Sequence, residues 1–173
     1  VPPAIGRVCY PLATKNHHHE IELVVAIGAS GVKLAPAAAL AIVWGYAVGL
    51  DMTRRDLQSD MREKKRPWDI GKSFAEAAPI GPIHPVTAVG HPSRGRIWLD
   101  VNGARRQQGD LSELIWDVAH TIHFLSQYYE LLPGDLIYTG TPAGVGAVVA
   151  GDRLDGGIDG LGTLAISIAP AGV

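Results

Sequence analysis

The sequence predicts an α+β fold in which short strands dominate and helices are few. Three observations carry that expectation. The 21 Gly and 12 Pro make up about a fifth of the 173 residues, where ordinary usage is about an eighth. A chain that turns so often is neither a helical bundle nor a coiled coil. Short apolar runs rich in Val, Ile and Leu are punctuated by Gly, Pro and Asn-Gly, the pattern of strands and hairpins. The clearest helical spacing of apolar side chains lies in residues 111–126.

Along the chain, Ile21–Ile27 (IELVVAI) reads as a strand with a charged start and an apolar end. Residues 36–43 read as a short helix, with Pro36 near its start where a missing N–H costs little. Residues 46–52 read as a second strand. The polar run 53–66 (TRRDLQSDMREKKR) has helical propensity, with Thr53 as its N-cap and Pro67 as its stop. In Arg96–Val101, Ile97, Leu99 and Val101 alternate onto one face. Asn102-Gly103 then turns the chain back as a hairpin. In 111–126, Leu111, Leu114, Ile115, Val118, Ile122 and Leu125 fall on one helical stripe. Pro133-Gly134-Asp135 turns into a strand at 136–139. The glycine-rich remainder closes with a strand at 163–168.

Composition excludes several classes. Hydrophobic residues are 47% and charged residues 18% of the chain, so one domain of this length has a real core. Lys and Arg number 15 against 17 Asp and Glu, and a net charge of −2 lacks the basic excess of a nucleic-acid binder. The longest uncharged stretch, 34–50, is short for a membrane span and is interrupted by Pro36, Gly45 and Gly49. It reads as a buried helix and strand, and no membrane partner is expected. Cys9 stands alone, which excludes an internal disulfide and a cysteine-ligated zinc and agrees with a cytoplasmic location. The opening Val1-Pro2-Pro3 lacks an initiator Met, so the natural product is expected to start upstream.

Glu20 and Glu22 flank Ile21 at a strand start, and side chains at i and i+2 share a face. Two carboxylates held side by side repel unless a cation sits between them. Asp51 ends the next expected strand. Three carboxylates converging from strand ends suit a hard divalent cation, Mg2+ or Mn2+. Solvated glutamates at an exposed strand start are the alternative that spacing alone leaves open. On a helix starting near Thr53, Arg55 and Gln58 are i, i+3 neighbours able to grip a carboxylate, although an ordinary solvated helix face would carry the same residues. Lys72, in Gly-Lys-Ser-Phe, is placed to neutralise an oxyanion or enolate, or else lines the surface. The loop 139–146 (TGTPAGVG) concentrates glycines whose N–H groups can hold an anion, but it lacks the Gly-Lys-Ser/Thr of a phosphate loop. His18, within the run His17 to His19, would share a face with Glu20 and Glu22 as a base or supporting group, or is a polar strand edge. His120 and His123 lack an acidic partner for zinc and read as surface or core-edge residues.

Taken together, HHHEIELVVAIG, WGYAVGLDMTRRDLQ, PWDIGKSF, APIGPI, VNGARRQ, LLPGDLIYTGTPAGVG and DGLGTLAISI resemble the fumarylacetoacetate hydrolase family in order and spacing, from about Pro11 to Ile168. The wording around 44–58 and 67–85 is most similar to bacterial members that hydrolyse fumarylpyruvate in gentisate degradation. The resemblance implies a mixed β-roll of several sheet layers with few helices, usually a homodimer. It implies that Glu20, Glu22 and Asp51 ligate Mg2+ or Mn2+. It also implies that Arg55, Gln58, Lys72 and Thr141 contact substrate or support the metal, with Lys72 catalytic. The implied substrate is a small 2-oxo or 1,3-diketo acid. Acylpyruvate hydrolases, oxaloacetate decarboxylases and decarboxylase/isomerases of aromatic degradation share the scaffold, and these motifs do not separate them. An inactive relative that only binds a 2-oxo acid is the non-enzymatic reading. Family members also carry, upstream of the E-x-E strand, a His and a Glu that polarise the attacking water. Nothing similar precedes Tyr10, so residues 1–173 are expected to be a single catalytic domain lacking its N-terminal segment.

Overall fold

The computed structural model describes residues 6–171, and the opening Val1-Pro2-Pro3 lies outside them. Strands β1 (Gly6–Cys9), β2 (His17–His19) and β3 (Ile21–Ile27) come first. Helix α1 (Pro36–Ala39) and a 3-10 turn (Leu40–Ile42) lead into β4 (Val43–Leu50). Next come β5 (Thr53–Arg54), α2 (Arg55–Glu63), α3 (Asp69–Lys72), β6 (His84–Pro85) and α4 (Val86–Val89). The hairpin β7 (Arg96–Val101) and β8 (Ala104–Asp110) precedes a 3-10 turn (Leu111–Glu113) and α5 (Val118–Ser126). Strands β9 (Leu136–Tyr138), β10 (Gly146–Val148), β11 (Arg153–Ile158) and β12 (Gly162–Ala169) follow.

The strands form three sheets, in the orders β1-β12-β11-β7-β8, β6-β4-β3-β9 and β10-β2-β5. β1 runs parallel to β12, and the other pairs among the described residues are antiparallel. This is the expected strand-rich, layered α+β fold. β3 lies between β4 and β9 with all seven residues buried, which is why it is apolar behind its glutamate instead of alternating. β7 faces solvent on one side, so Ile97, Leu99 and Val101 are buried in alternation as expected. Asn102 and Gly103 both take positive φ, 52° and 77°, as a tight hairpin turn demands. The core includes Ile21, Leu23 and Leu50 from the four-stranded sheet and its approach, with Leu99, Leu154 and Ile166 from the five-stranded one, none more than 1% exposed. Each such side chain contributes about 1.5–3 kcal/mol by burial.

Some boundaries differ from expectation. Residues 111–126 are not one helix. Asp110 accepts from Ser112 N–H while Glu113 reaches back to Asp110 N–H, a capping box that closes a single 3-10 turn. Asp117 then caps a fresh start by accepting from His120 N–H. Two capping aspartates override the apolar stripe between them. Leu111, Val118 and Ile122 are buried, but Ile115 is 98% exposed. Nor is Thr53 an N-cap. It pairs with His18 in the small sheet, and α2 begins at Arg55. The helix expected over 36–43 is one α turn followed by a 3-10 turn, so β4 starts at Val43, ahead of its expected position.

Candidate metal and substrate site

In the antiparallel pair of β3 and β4, Ile21 lies opposite Leu50 and Glu22 opposite Gly49. One step further, Asp51 N–H donates to Glu20 C=O at 2.9 Å. The pairing thus sets Glu20 beside Asp51, and the two-residue repeat of a strand brings Glu22 to the same face. One oxygen from each of the three carboxylates lies within 4.8 Å of the others, a cluster without a second example among the described residues. Glu20 and Glu22 are buried and Asp51 is half-buried.

Packed this way, Glu22 and Asp51 resist ionisation. The Glu22 pKa is pushed up to about 8, mainly by burial, with the charges of Asp51 and Glu20 adding to it against the Gly140 hydrogen bond and Lys72. Burial also raises Asp51, against its bond to Lys72. An inward cluster of oxygen donors suits a hard divalent cation, which would replace protons with a stronger positive charge.

Lys72 enters from α3. A Cβ at Gly71 would lie 2.8 Å from Gln58 Cβ and 3.1 Å from Gln58 backbone atoms, so glycine is what lets α3 lie against α2. Lys72 Nζ donates to Glu20 Oε2 at 2.8 Å, Asp51 Oδ2 at 2.5 Å and Thr53 Oγ1 at 2.8 Å. Its ammonium is therefore the counter-charge of the Glu20 and Asp51 pair. Arg55, at the head of α2, pairs with Glu20 Oε1 and donates to Gln58 Oε1 at 2.6 Å. The second bond orients the Gln58 amide and leaves its Nε2 protons for an oxygen-bearing ligand.

The loop after β9 supports the cluster from the other side. Gly140 N–H donates to Glu22 Oε2 at 2.7 Å, so this loop N–H serves a carboxyl group of the protein itself. Thr139 and Thr141 hydroxyls donate to the carbonyls of Leu23 and Ile21 at 2.9 and 2.7 Å. The structure thus gathers Glu20, Glu22, Asp51, Arg55, Gln58 and Lys72 into one site. Thr141 lies in the adjoining loop, its hydroxyl donating to Ile21 C=O and accepting from Gln107 Nε2. His18 Nε2 bonds Asn16 Oδ1 at 2.9 Å, and its ring feels the charges of Arg55 and Glu20 without a hydrogen bond to either. His120 Nδ1 bonds Asp117 at 2.8 Å, and His123 Nδ1 donates to Leu34 C=O at 2.6 Å, both as structural contacts.

Sequence reasoning missed Tyr138 and Gln107. The Tyr138 ring overlies Gly49, where a Cβ would come 2.8 Å from Tyr138 Cε1. Its hydroxyl donates to Ala78 C=O at 3.0 Å. Burial, then Asp51 and Glu22, push its pKa up to about 12, so it stays a neutral phenol beside the cluster. A glycine inside an apolar strand, such as Gly49, is itself a signal of close approach. Gln107 closes the motif VNGARRQ, but β8 (ARRQQGD) has no apolar alternation to mark it as an inward position.

The chain is similar to known proteins along nearly its whole length. The family described as fumarylacetoacetate (FAA) hydrolase C-terminal matches residues 3–169. A fumarylpyruvate hydrolase of Ralstonia sp is 49% identical over 164 residues, covering 95% of this chain and 85% of that protein. A mitochondrial oxaloacetate tautomerase of Rattus norvegicus is 42% identical over 159 residues, covering 92% of this chain and 72% of the relative. The crystal structure of fumarylpyruvate hydrolase from Pseudomonas aeruginosa, in complex with Mn2+ and pyruvate, superposes with a TM-score of 0.94 at 54% identity, covering 96% of this chain and 71% of that one. By sequence, fold and the acidic cluster at its centre, the chain belongs to the fumarylacetoacetate hydrolase family.

Proposed function

We propose that this enzyme cleaves a carbon–carbon bond of a 1,3-diketo acid with water, converting fumarylpyruvate to fumarate and pyruvate. The observation that supports the reading most is the buried cluster of Glu20, Glu22 and Asp51 bordered by Lys72, Arg55 and Gln58. One site then holds both a cation and the oxygens of an acidic substrate. The similarity to a fumarylpyruvate hydrolase, and to one that binds Mn2+ and pyruvate, supports the same substrate.

A divalent cation on Glu20, Glu22 and Asp51 would supply Lewis-acid polarisation of the oxygens of a 2-oxo acid. The side chains around it do the rest. Arg55 fixes Glu20 and the Gln58 carbonyl oxygen, which frees the Gln58 Nε2 protons to orient a substrate carboxylate. The hydroxyl of water ends on the fumaryl carbonyl carbon, and the bond to the pyruvyl methylene breaks. Its electron pair leaves on the pyruvyl side as an enolate, which takes a proton to give pyruvate. The Lys72 charge stabilises the negative charge that develops in this step. In this reading the protein acts in gentisate degradation, in the cytoplasm, as a homodimer.

The competing reading is oxaloacetate chemistry, favoured by the 42% identical tautomerase. It uses the same enolate-forming site. A substrate panel with Mn2+ or Mg2+ present separates the two. Equal amounts of fumarate and pyruvate from fumarylpyruvate are expected. Keto–enol interconversion or decarboxylation of oxaloacetate, with fumarylpyruvate left intact, would overturn the first reading.

A further inference from the structure

Gln107 has no exposed surface, although it sits in a strand of mostly exposed polar residues. A polar side chain so placed is tolerated only when its atoms are partnered. Its amide makes four bonds. Oε1 lies 3.1 Å from Ile21 N–H and 2.8 Å from His19 Nδ1. Nε2 lies 2.8 Å from both Thr141 Oγ1 and Pro142 C=O.

Chemistry fixes the direction of every bond. A main-chain N–H only donates and a main-chain carbonyl only accepts, so Ile21 and Pro142 together permit one orientation of the amide. His19 must then carry its proton on Nδ1. Thr141 accepts from Gln107 and gives its own proton to Ile21 C=O at 2.7 Å. An ionised Glu at this position could serve the β3 side but could not donate to the loop, and a Leu serves neither.

These bonds tie together the two segments that carry Glu22 and its partner. Ile21 stands between Glu20 and Glu22. Thr141 and Pro142 directly follow Gly140, whose N–H holds Glu22 Oε2 at 2.7 Å. We propose that Gln107 is a positioning residue that clamps the backbone of residues 141–142 to the start of β3, and so holds Gly140 on Glu22 in the geometry that serves a divalent cation. Gln107 bonds to none of the three carboxylates. It acts through Thr141 and Gly140, and the inference rests on the metal role of Glu20, Glu22 and Asp51.

The test is Mn2+ binding to the full chain, by calorimetry or by the EPR signal of free Mn2+, with melting temperatures measured alongside. Wild type, Gln107→Leu, Thr141→Val and the double variant are compared. Each single variant is expected to weaken Mn2+ binding about tenfold or more, as loss of a group supporting a metal ligand does. The double variant is expected to be no worse than the weaker single one, since both cut one link. If Gln107→Leu does not fold, Thr141→Val carries the comparison, because it cuts the clamp at the loop end. A lower melting temperature with an unchanged Kd for Mn2+ would show a merely structural glutamine and overturn the proposal, as would fully additive losses. Wild type that binds no Mn2+ would instead overturn the metal role beneath it.

Discussion

Glu22 and His17 are both buried titratable groups, yet they push the stability of the fold in opposite directions with pH. Glu22 has its folded pKa raised from 4.5 to about 8, chiefly by burial. A raised carboxyl keeps its proton in the fold, so its contribution is complete below pH 4.5 and is lost as pH rises through about 8. A cation must displace that proton. Mn2+ affinity is therefore expected to climb between about pH 6 and 8, with close to one proton released per ion near neutrality. Calorimetry in buffers of different ionisation enthalpy reads that proton directly, and a flat affinity across the range would contradict it. His17 behaves in the reverse sense. It is buried beside Tyr10 and Phe74, with ring centroids 5.4 and 5.9 Å away, and its ring nitrogens have no hydrogen-bond partner among the described residues. Burial, then His18 and Arg54, lower its pKa from 6.5 to about 4. Its stabilisation is present above 6.5 and lost as pH falls toward 4. His17→Leu is expected to flatten that acid-side fall in melting temperature, and an unchanged slope would assign the fall to other groups. Lys72 bears on turnover. Removing one electrostatic donor costs about 2.7–4 kcal/mol, so Lys72→Ala is expected to lower kcat by about 100-fold or more. Near-normal steady-state turnover would remove it from the reaction.

At the level of elements, the position of the Lys72 charge depends on helix contact. α3 is a single turn that carries Lys72 to the acidic cluster only because Gly71 lies against Gln58. Gly71→Ala is expected to push α3 off α2 and lower kcat by about 100-fold, as a displacement of about 1 Å in a catalytic group can. Activity close to wild type would mean that α3 slides without losing the contact. The elements also show what a sequence reveals unaided. β3, β7 and the Asn102-Gly103 turn were legible because periodicity and turn chemistry are local signals. The break in 111–126 was written locally too, in Asp110 and Asp117, but the apolar stripe masked it. β2 and β5 were not legible. β2 is held by β10, whose Gly146 pairs with His19, and no local pattern reports a partner that far along the chain.

The whole molecule draws its site from β3, the end of β4, α2, α3 and the loop after β9. The acidic residues and Lys72 could be named in advance because their types and motif order are distinctive. That they converge, and that Lys72 bonds to two of the carboxylates, needed the fold. Gln107 and Tyr138 lie inside the motifs VNGARRQ and LLPGDLIYTGTPAGVG, yet their roles stayed hidden for a simpler reason. Their roles come from which strand they face, and neither residue type announces that.

Those long connections also govern how the chain reaches its native state. Gly6 pairs with Ile166, Gln107 with His19, and Gly140 with Glu22. Each requires closing a large loop before any contact rewards it. The acidic centre therefore gains its Gly140 support in a nascent chain only after residue 140 has emerged. Until then β3, apolar beyond Glu22, waits without its β9 neighbour, an invitation to aggregation. Refolding from denaturant is expected to take milliseconds to seconds or longer, with Mn2+ binding recovered in the last phase and not before it. Stopped-flow fluorescence paired with Mn2+ uptake checks this order, and early uptake would mean that the site forms ahead of the fold.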